Sequence, residues 1–288
     1  AKDSYKLAYK AYKLYLNEFP SSAHVYMVRY SFAELLYTVK KFGEAYEQYM
    51  AVVKIDSNGK ESRFCAESAI YAAEKMVEKD GTSNTTKTKG PVKNAEPQEL
   101  TQWEVNYVAA CKQYATLYPQ DKKVRNIIYR TAYLLYNKYR FEEAAEQFKL
   151  VIKMEPASKE AELAANLILD SFAINDDLAN LKKNAKFFYE QEGLGSSKFK
   201  KGVYEVYQKA SFALIELNYK NTNDKAVAAA AYEAFYGEFA DNAKTKVLAT
   251  ALNNAAFYYK ELDRVADSMK VRHILVEDPK FGKNTKYY

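Results

Sequence analysis

Phe42-Gly43-Glu44-Ala45-Tyr46-Glu47-Gln48-Tyr49-Met50-Ala51-Val52-Val53-Lys54-Ile55-Asp56 returns 99 positions later as Phe141-Glu142-Glu143-Ala144-Ala145-Glu146-Gln147-Phe148-Lys149-Leu150-Val151-Ile152-Lys153-Met154-Glu155, followed by Pro156. Aromatic, small and branched residues recur in both stretches at steps of three, four and seven, the period of one helix face. An offset of 99 is three units of 33, so the same supersecondary unit is expected several times over. Upstream, Ala33 stands twelve residues before Ala45 and Ala132 twelve before Ala144. Small residues at those places let two antiparallel helices approach closely.

Outward from these stretches, helical periodicity runs on in both directions. Breakers punctuate it at Pro20-Ser21-Ser22, Ser57-Asn58-Gly59, Pro119-Gln120-Asp121, Pro156-Ala157-Ser158, Gly193 to Ser197, Asn221 to Asp224 and Ala240-Asp241-Asn242. No segment alternates with period two, so no strand is placed. Gly81 to Pro97 differs in kind. It is rich in Thr, Lys, Asn and Gly, and its few apolar groups cannot offset the entropy of ordering it, so it is read as an exposed, mobile insert within one hairpin. Asn84-Thr85-Thr86 within it matches a glycosylation sequon, a three-residue pattern common by chance.

Composition agrees with helices throughout. Glycine and proline make up only 15 of 288 residues, while 48% of the chain is hydrophobic. Forty-three basic against 37 acidic residues give a formal charge of +6, too mild and too interspersed to favour nucleic acid over a solvated helix surface. No apolar run approaches the roughly 20 residues a transmembrane helix needs. The chain opens at Ala1 directly in a helical pattern, and an upstream signal peptide, lipid anchor or further domain is expected.

The Phe-x-x-Ala-x-x-x-aromatic stretches, their partner alanines and the Pro156 ending resemble the tetratricopeptide repeat family of helix-turn-helix units. That resemblance implies an all-α, right-handed superhelical solenoid with about six hairpins and a leading helix. Residues 1–20 would form a leading half-repeat and 22–156 the better-matching repeats, with helices at Glu61 to Lys79 and Gln98 to Tyr118 forming the unit split by 81–97. Residues 158–288 would supply divergent repeats, with a long helix around Tyr204 to Leu217 and a shortened final turn at Glu261 to Asp263. The whole is expected to be one solenoid. The endings Tyr15-Leu16-Asn17-Glu18-Phe19-Pro20 and Tyr114-Ala115-Thr116-Leu117-Tyr118-Pro119 are similar to repeats of Gram-negative periplasmic and envelope proteins, of the outer-membrane-assembly, Tol-Pal accessory and gliding-machinery types. The setting so implied is periplasm or cell envelope, with cytoplasm the alternative.

No phosphate loop, dinucleotide fingerprint or His-Glu-x-x-His motif occurs, and His24 and His273 stand far from any recognisable nucleophile motif. Asp176 and Asp177 fall at a turn, where helix capping explains them. Neither catalysis, a cofactor nor a metal site is expected. Cys65 and Cys111 sit where antiparallel helices could bring them face to face, so a disulfide is one reading and two buried thiols the favoured one.

Function is therefore sought on a surface. Tyrosine is overused, 27 of 288 residues. In a stacked array the first helix of each pair lines the concave face. This places Tyr30, Glu34 and Tyr37, then Asn126, Tyr129, Tyr133 and Tyr136, then Asn166 and Asp170, in one groove. Tyrosine offers a broad contact face and a hydroxyl at low rotamer cost, which suits an extended peptide or a protein partner. The alternatives are an assembly strut working through its convex face or ends, and a helical repeat that binds nucleic acid.

Overall fold

The computed structural model describes residues 2–80, 92–93, 95–241 and 244–281. The expected insert 81–97 and its sequon fall largely outside the described residues. Among those residues the chain is helical, without a strand. It divides into two compact units, one reaching Ile168 and the other beginning at Leu169.

The first unit opens with α1 (Lys2–Glu18). Antiparallel pairs follow: α2 (Val25–Thr38) with α3 (Phe42–Ile55), α4 (Ser62–Lys79) with α5 (Gln102–Leu117), and α6 (Val124–Asn137) with α7 (Phe141–Met154). The next helix, α8 (Lys159–Ile174), carries the boundary between the units. The second unit holds α9 (Leu178–Glu190), α10 (Ser197–Thr222), α11 (Lys225–Phe239), α12 (Thr245–Glu261) and α13 (Val265–Glu277). Here α9 packs on α10, α11 on α12, and α12 on α13. At 26 residues α10 is the long helix expected.

The alanines anticipated at close helix crossings are at those crossings. Ala33, Ala45, Ala132 and Ala144 are buried where α2 meets α3 and α6 meets α7. Large groups fill the remaining space: Tyr49 and Phe148 are buried at equivalent places, and the edge-on pairs Tyr37–Phe42 (5.1 Å) and Tyr136–Phe141 (5.3 Å) close the two turns identically. The aromatic-Pro endings are also built alike. Tyr15 shares a 2.8 Å hydrogen bond with the Ser22 hydroxyl, and Tyr114 donates to Asp121 over 2.9 Å, each linking a helix to the polar cap seven residues on.

The hairpin turns reveal a repetition that side-chain identity hides. Lys40, Tyr139, Asp176, Asn223 and Asp263 all have positive φ, from 53° to 62°, and each lies two residues before the helix that follows. In four of these turns the next amide reaches back five residues, as from Lys41 to Leu36, Arg140 to Leu135, Asp177 to Phe172 and Arg264 to Tyr259. This is the bond that ends a helix in a Schellman turn. The final turn is therefore not shortened as expected. Leu262, Asp263 and Arg264 span α12 and α13 just as Val39, Lys40 and Lys41 span α2 and α3.

A second correction concerns α5, expected to start at Gln98. Thr101 caps the helix instead, accepting from the Glu104 amide while the Glu104 carboxylate accepts from the Thr101 amide, a complete capping box. Residues 95–100 approach in an irregular path, and the Gln98 amide is tied to the Lys138 carbonyl at 2.8 Å.

Candidate functional site

The candidate surface belongs to the first helices of the hairpins in the first unit, α2, α4, α6 and the part of α8 up to Ile168. Val25, Ser62 and Val124, which open α2, α4 and α6, are buried, and so is Ala161 in the first turn of α8. Counting onward puts matching positions side by side. Three places in, Met27, Phe64, Asn126 and Leu163 form one row; six places in, Tyr30, Glu67, Tyr129 and Asn166 form a second. Ten places in come Glu34, Tyr71 and Tyr133. Side-chain contacts link neighbouring helices along this face. Tyr30 meets Phe64 edge-on at 6.0 Å, and ion pairs join Lys123 to Glu67 (2.5 Å), Arg130 to Glu74, Arg63 to Asp121, and Arg125 to Glu160 (3.5 Å).

Tyr129 and Tyr133 stack nearly parallel at 6.3 Å, and Tyr133 stacks on Tyr136 at 6.5 Å. This ladder is half-buried at Tyr129 and Tyr133 but closes at Tyr136, only 4% exposed and wedged against Phe141. Tyr136 is thus a packing residue of the hairpin, as is the partly buried Tyr37 between Phe42 and Tyr49. Glu34 is likewise engaged: it accepts the Tyr49 hydroxyl at 2.5 Å. The groups most open to a partner are Asn126 and Asn166, together with three large residues the expectation did not include: Met27, Phe64 at 46% and Tyr71 at 41% exposure. Asp170 is exposed and belongs to the second unit.

The electrostatics of the face follow from burial. Desolvation pushes the Tyr30 and Tyr129 hydroxyls above their ordinary pKa, so both keep their protons at neutral pH. Desolvation also lowers Arg130, which pairs with Glu74. The charged groups thus answer one another across the helices, leaving aromatic faces and amides as the free recognition elements. Such an array can hold a chain by stacking and hydrogen bonds. No group of three or more His, Cys, Asp or Glu side chains placed to hold a metal occurs among the described residues.

Cys65 and Cys111 are free thiols buried in one core. Burial raises Cys65 to about 12, reinforced by Glu34 and Glu61, and raises Cys111 to about 11. His24 occupies the cap position of α2 without a side-chain capping bond, and His273 is exposed on α13. Asp177 caps α9 by accepting from the Asn180 amide at 3.1 Å. No helix among the described residues is long and apolar enough to cross a membrane.

No protein-family model matches the chain, and no curated protein matches it. Solved structures do resemble it. A tetratricopeptide repeat protein from Parabacteroides merdae is 12% identical, with 96% of this chain and 92% of that one covered and a TM-score of 0.36. BtubC from P. vanneervenii is 10% identical over 82% and 90%, with a TM-score of 0.32. The C-terminal part of a TPR repeat-containing protein from Cytophaga hutchinsonii is 16% identical over 89% and 97%, with a TM-score of 0.31.

Proposed function

We propose that this protein is a non-catalytic interaction scaffold whose first-helix face forms a concave groove for an extended peptide segment of a protein partner. The observation that carries the reading is the set of exposed and half-exposed groups, Met27, Phe64, Tyr71, Asn126, Tyr129 and Tyr133, in matching rows on three successive first helices. Aromatic rings presented on rigid helices lose little entropy when covered, and the flanking asparagine amides supply donors and acceptors for a ligand backbone. Ion pairs within the face, Lys123–Glu67 and Arg130–Glu74, leave no strong field of one sign, which favours a peptide over a polyanion. The aromatic-Pro helix endings support a bacterial envelope complex, in a Gram-negative periplasm, as the setting.

The test places a photo-crosslinking amino acid at Tyr133 or, as control, at Leu7, an exposed residue of α1. A discrete adduct from envelope fractions through position 133 alone is expected. Adducts through position 7 alone would move function to the outer surface and make the array an assembly strut.

A further inference from the structure

The outer side of the first unit carries a second surface. There α5 packs on α4 much more closely than on α6, whereas α3 lies fully against α4. The loosened contact opens an 840 Å³ trough between α5 and α7, with α6 as its floor. Val108 and Ala115 form one wall, Ile127 and Ile128 the floor, and Leu150 and Met154 the other wall. Leu150 and Met154 are 46% and 44% exposed, a high value for side chains that border an apolar depression. Trough-lining positions on α7 run from Glu143 to Met154, about 16 Å at 1.5 Å per residue.

Charge distinguishes the occupant. Each wall bears a lysine, Lys112 on α5 and Lys153 on α7, whose ammonium has no ion-pair partner among the described residues. The carboxylates on the same rim are already engaged, Glu143 by Arg140 and Glu146 by Lys149, both at 2.7 Å. An apolar floor flanked on both sides by free cations complements an apolar stripe flanked on both sides by acids. A trough three helical turns long, open to solvent along its length and walled by helices, has the dimensions of a helix-in-groove site. We propose that this trough docks an amphipathic helix of a protein partner, one whose apolar stripe is bordered by acidic residues, independently of any peptide on the first-helix face.

The test uses the full chain and two fluorescein-labelled helical peptides of about 15 residues, with identical leucine stripes at i, i+3 and i+4 and either glutamate or lysine at the flanking positions. The glutamate peptide is expected to bind saturably and at least about tenfold more tightly than the lysine peptide. The double variant Leu150→Glu/Met154→Glu, made at exposed rim positions so that folding is spared, should abolish that binding. Lys112→Glu/Lys153→Glu should reverse the preference. Equal binding of both peptides, or no saturable binding of either, would overturn the proposal, as would palmitate filling the trough while neither peptide binds. Loss of binding in Tyr133→Ser but not in the rim variant would also overturn it, by placing the helix on the first-helix face. Failure of the proposed peptide groove would leave the rim-variant result unchanged, so the two readings fail separately.

Discussion

Glu104 is the fully buried charge that fastens the start of α5 to the turn between α6 and α7, and its removal should be the most damaging single change in the first unit. One carboxylate oxygen accepts from the Thr101 amide at 2.8 Å, and the other pairs with Lys138, itself only 15% exposed, at 2.9 Å. Glu104→Ala removes the return bond of the capping box and strands a mostly buried ammonium. Breaking a buried pair from one side costs about 3–5 kcal/mol, and loss of a charge-assisted capping bond falls within that figure. Glu104→Gln keeps the shape and the acceptor for Thr101, and should cost about 2 kcal/mol through the charge alone. Lys138→Met combined with Glu104→Gln removes both charges together, so the pair should be less destabilised than the sum of its singles. Trp103, the one tryptophan of the chain, packs edge-on to Tyr46 at 5.7 Å beside this site, so its emission reports urea unfolding of this unit. A cost below about 1 kcal/mol for Glu104→Ala, or strict additivity in the double variant, would refute the reasoning.

Other outcomes follow from the same packing. Gly59→Ala would put a methyl carbon 2.5–2.8 Å from the Tyr26 ring and hydroxyl, which is held by the Glu61 amide and Ser62, so it should destabilise by about 1–3 kcal/mol in the same urea assay. Lys40→Gly relieves a left-handed residue at an exposed turn and should stabilise by roughly 0.5–1 kcal/mol, whereas Lys40→Val should destabilise. Asp121 is held below its usual carboxylate pKa by the Lys123 amide, then by Tyr114 and Arg63; its contribution is fully present above the unfolded value and is lost as pH falls from there through the lower folded value. Stability of the first unit should therefore decline below about pH 4, and Asp121→Asn should flatten that decline. Without reductant, a thiol reagent at pH 8 should find both Cys65 and Cys111 after denaturation and neither at an appreciable rate before it; no reactive thiol in the denatured chain would show the disulfide instead.

The sequence made the hairpins legible where identical side chains meet identical neighbours. Phe42 and Phe141, Tyr49 and Phe148, and Ala33 and Ala132 occupy equivalent places because each contact lies within one unit of helix-turn-helix. The start of α5 was legible too, in Thr101-Gln102-Trp103-Glu104, but apolar periodicity outweighed that local signature. Phe64 and Tyr71 went unrecognised as surface groups because the insert masks the repeat to which α4 belongs; a 37-residue step from Met27 and Glu34 reaches both. Tyr136 was misjudged for another reason. Spacing alone assigns a face to a residue, whereas the Phe141 ring one turn away decides whether that face is covered. The trough beside α5 leaves no trace in pattern at all, since it arises from how far two helices stand apart.

The most direct test of the central claim is affinity capture from envelope and soluble fractions with the chain and with Phe64→Ser/Tyr71→Ser/Tyr133→Ser, verified as folded by circular dichroism. The account predicts a specific partner enriched from the envelope by the chain and lost by the triple variant. The same partner held equally by both would contradict it, because recognition would then lie away from the first-helix face.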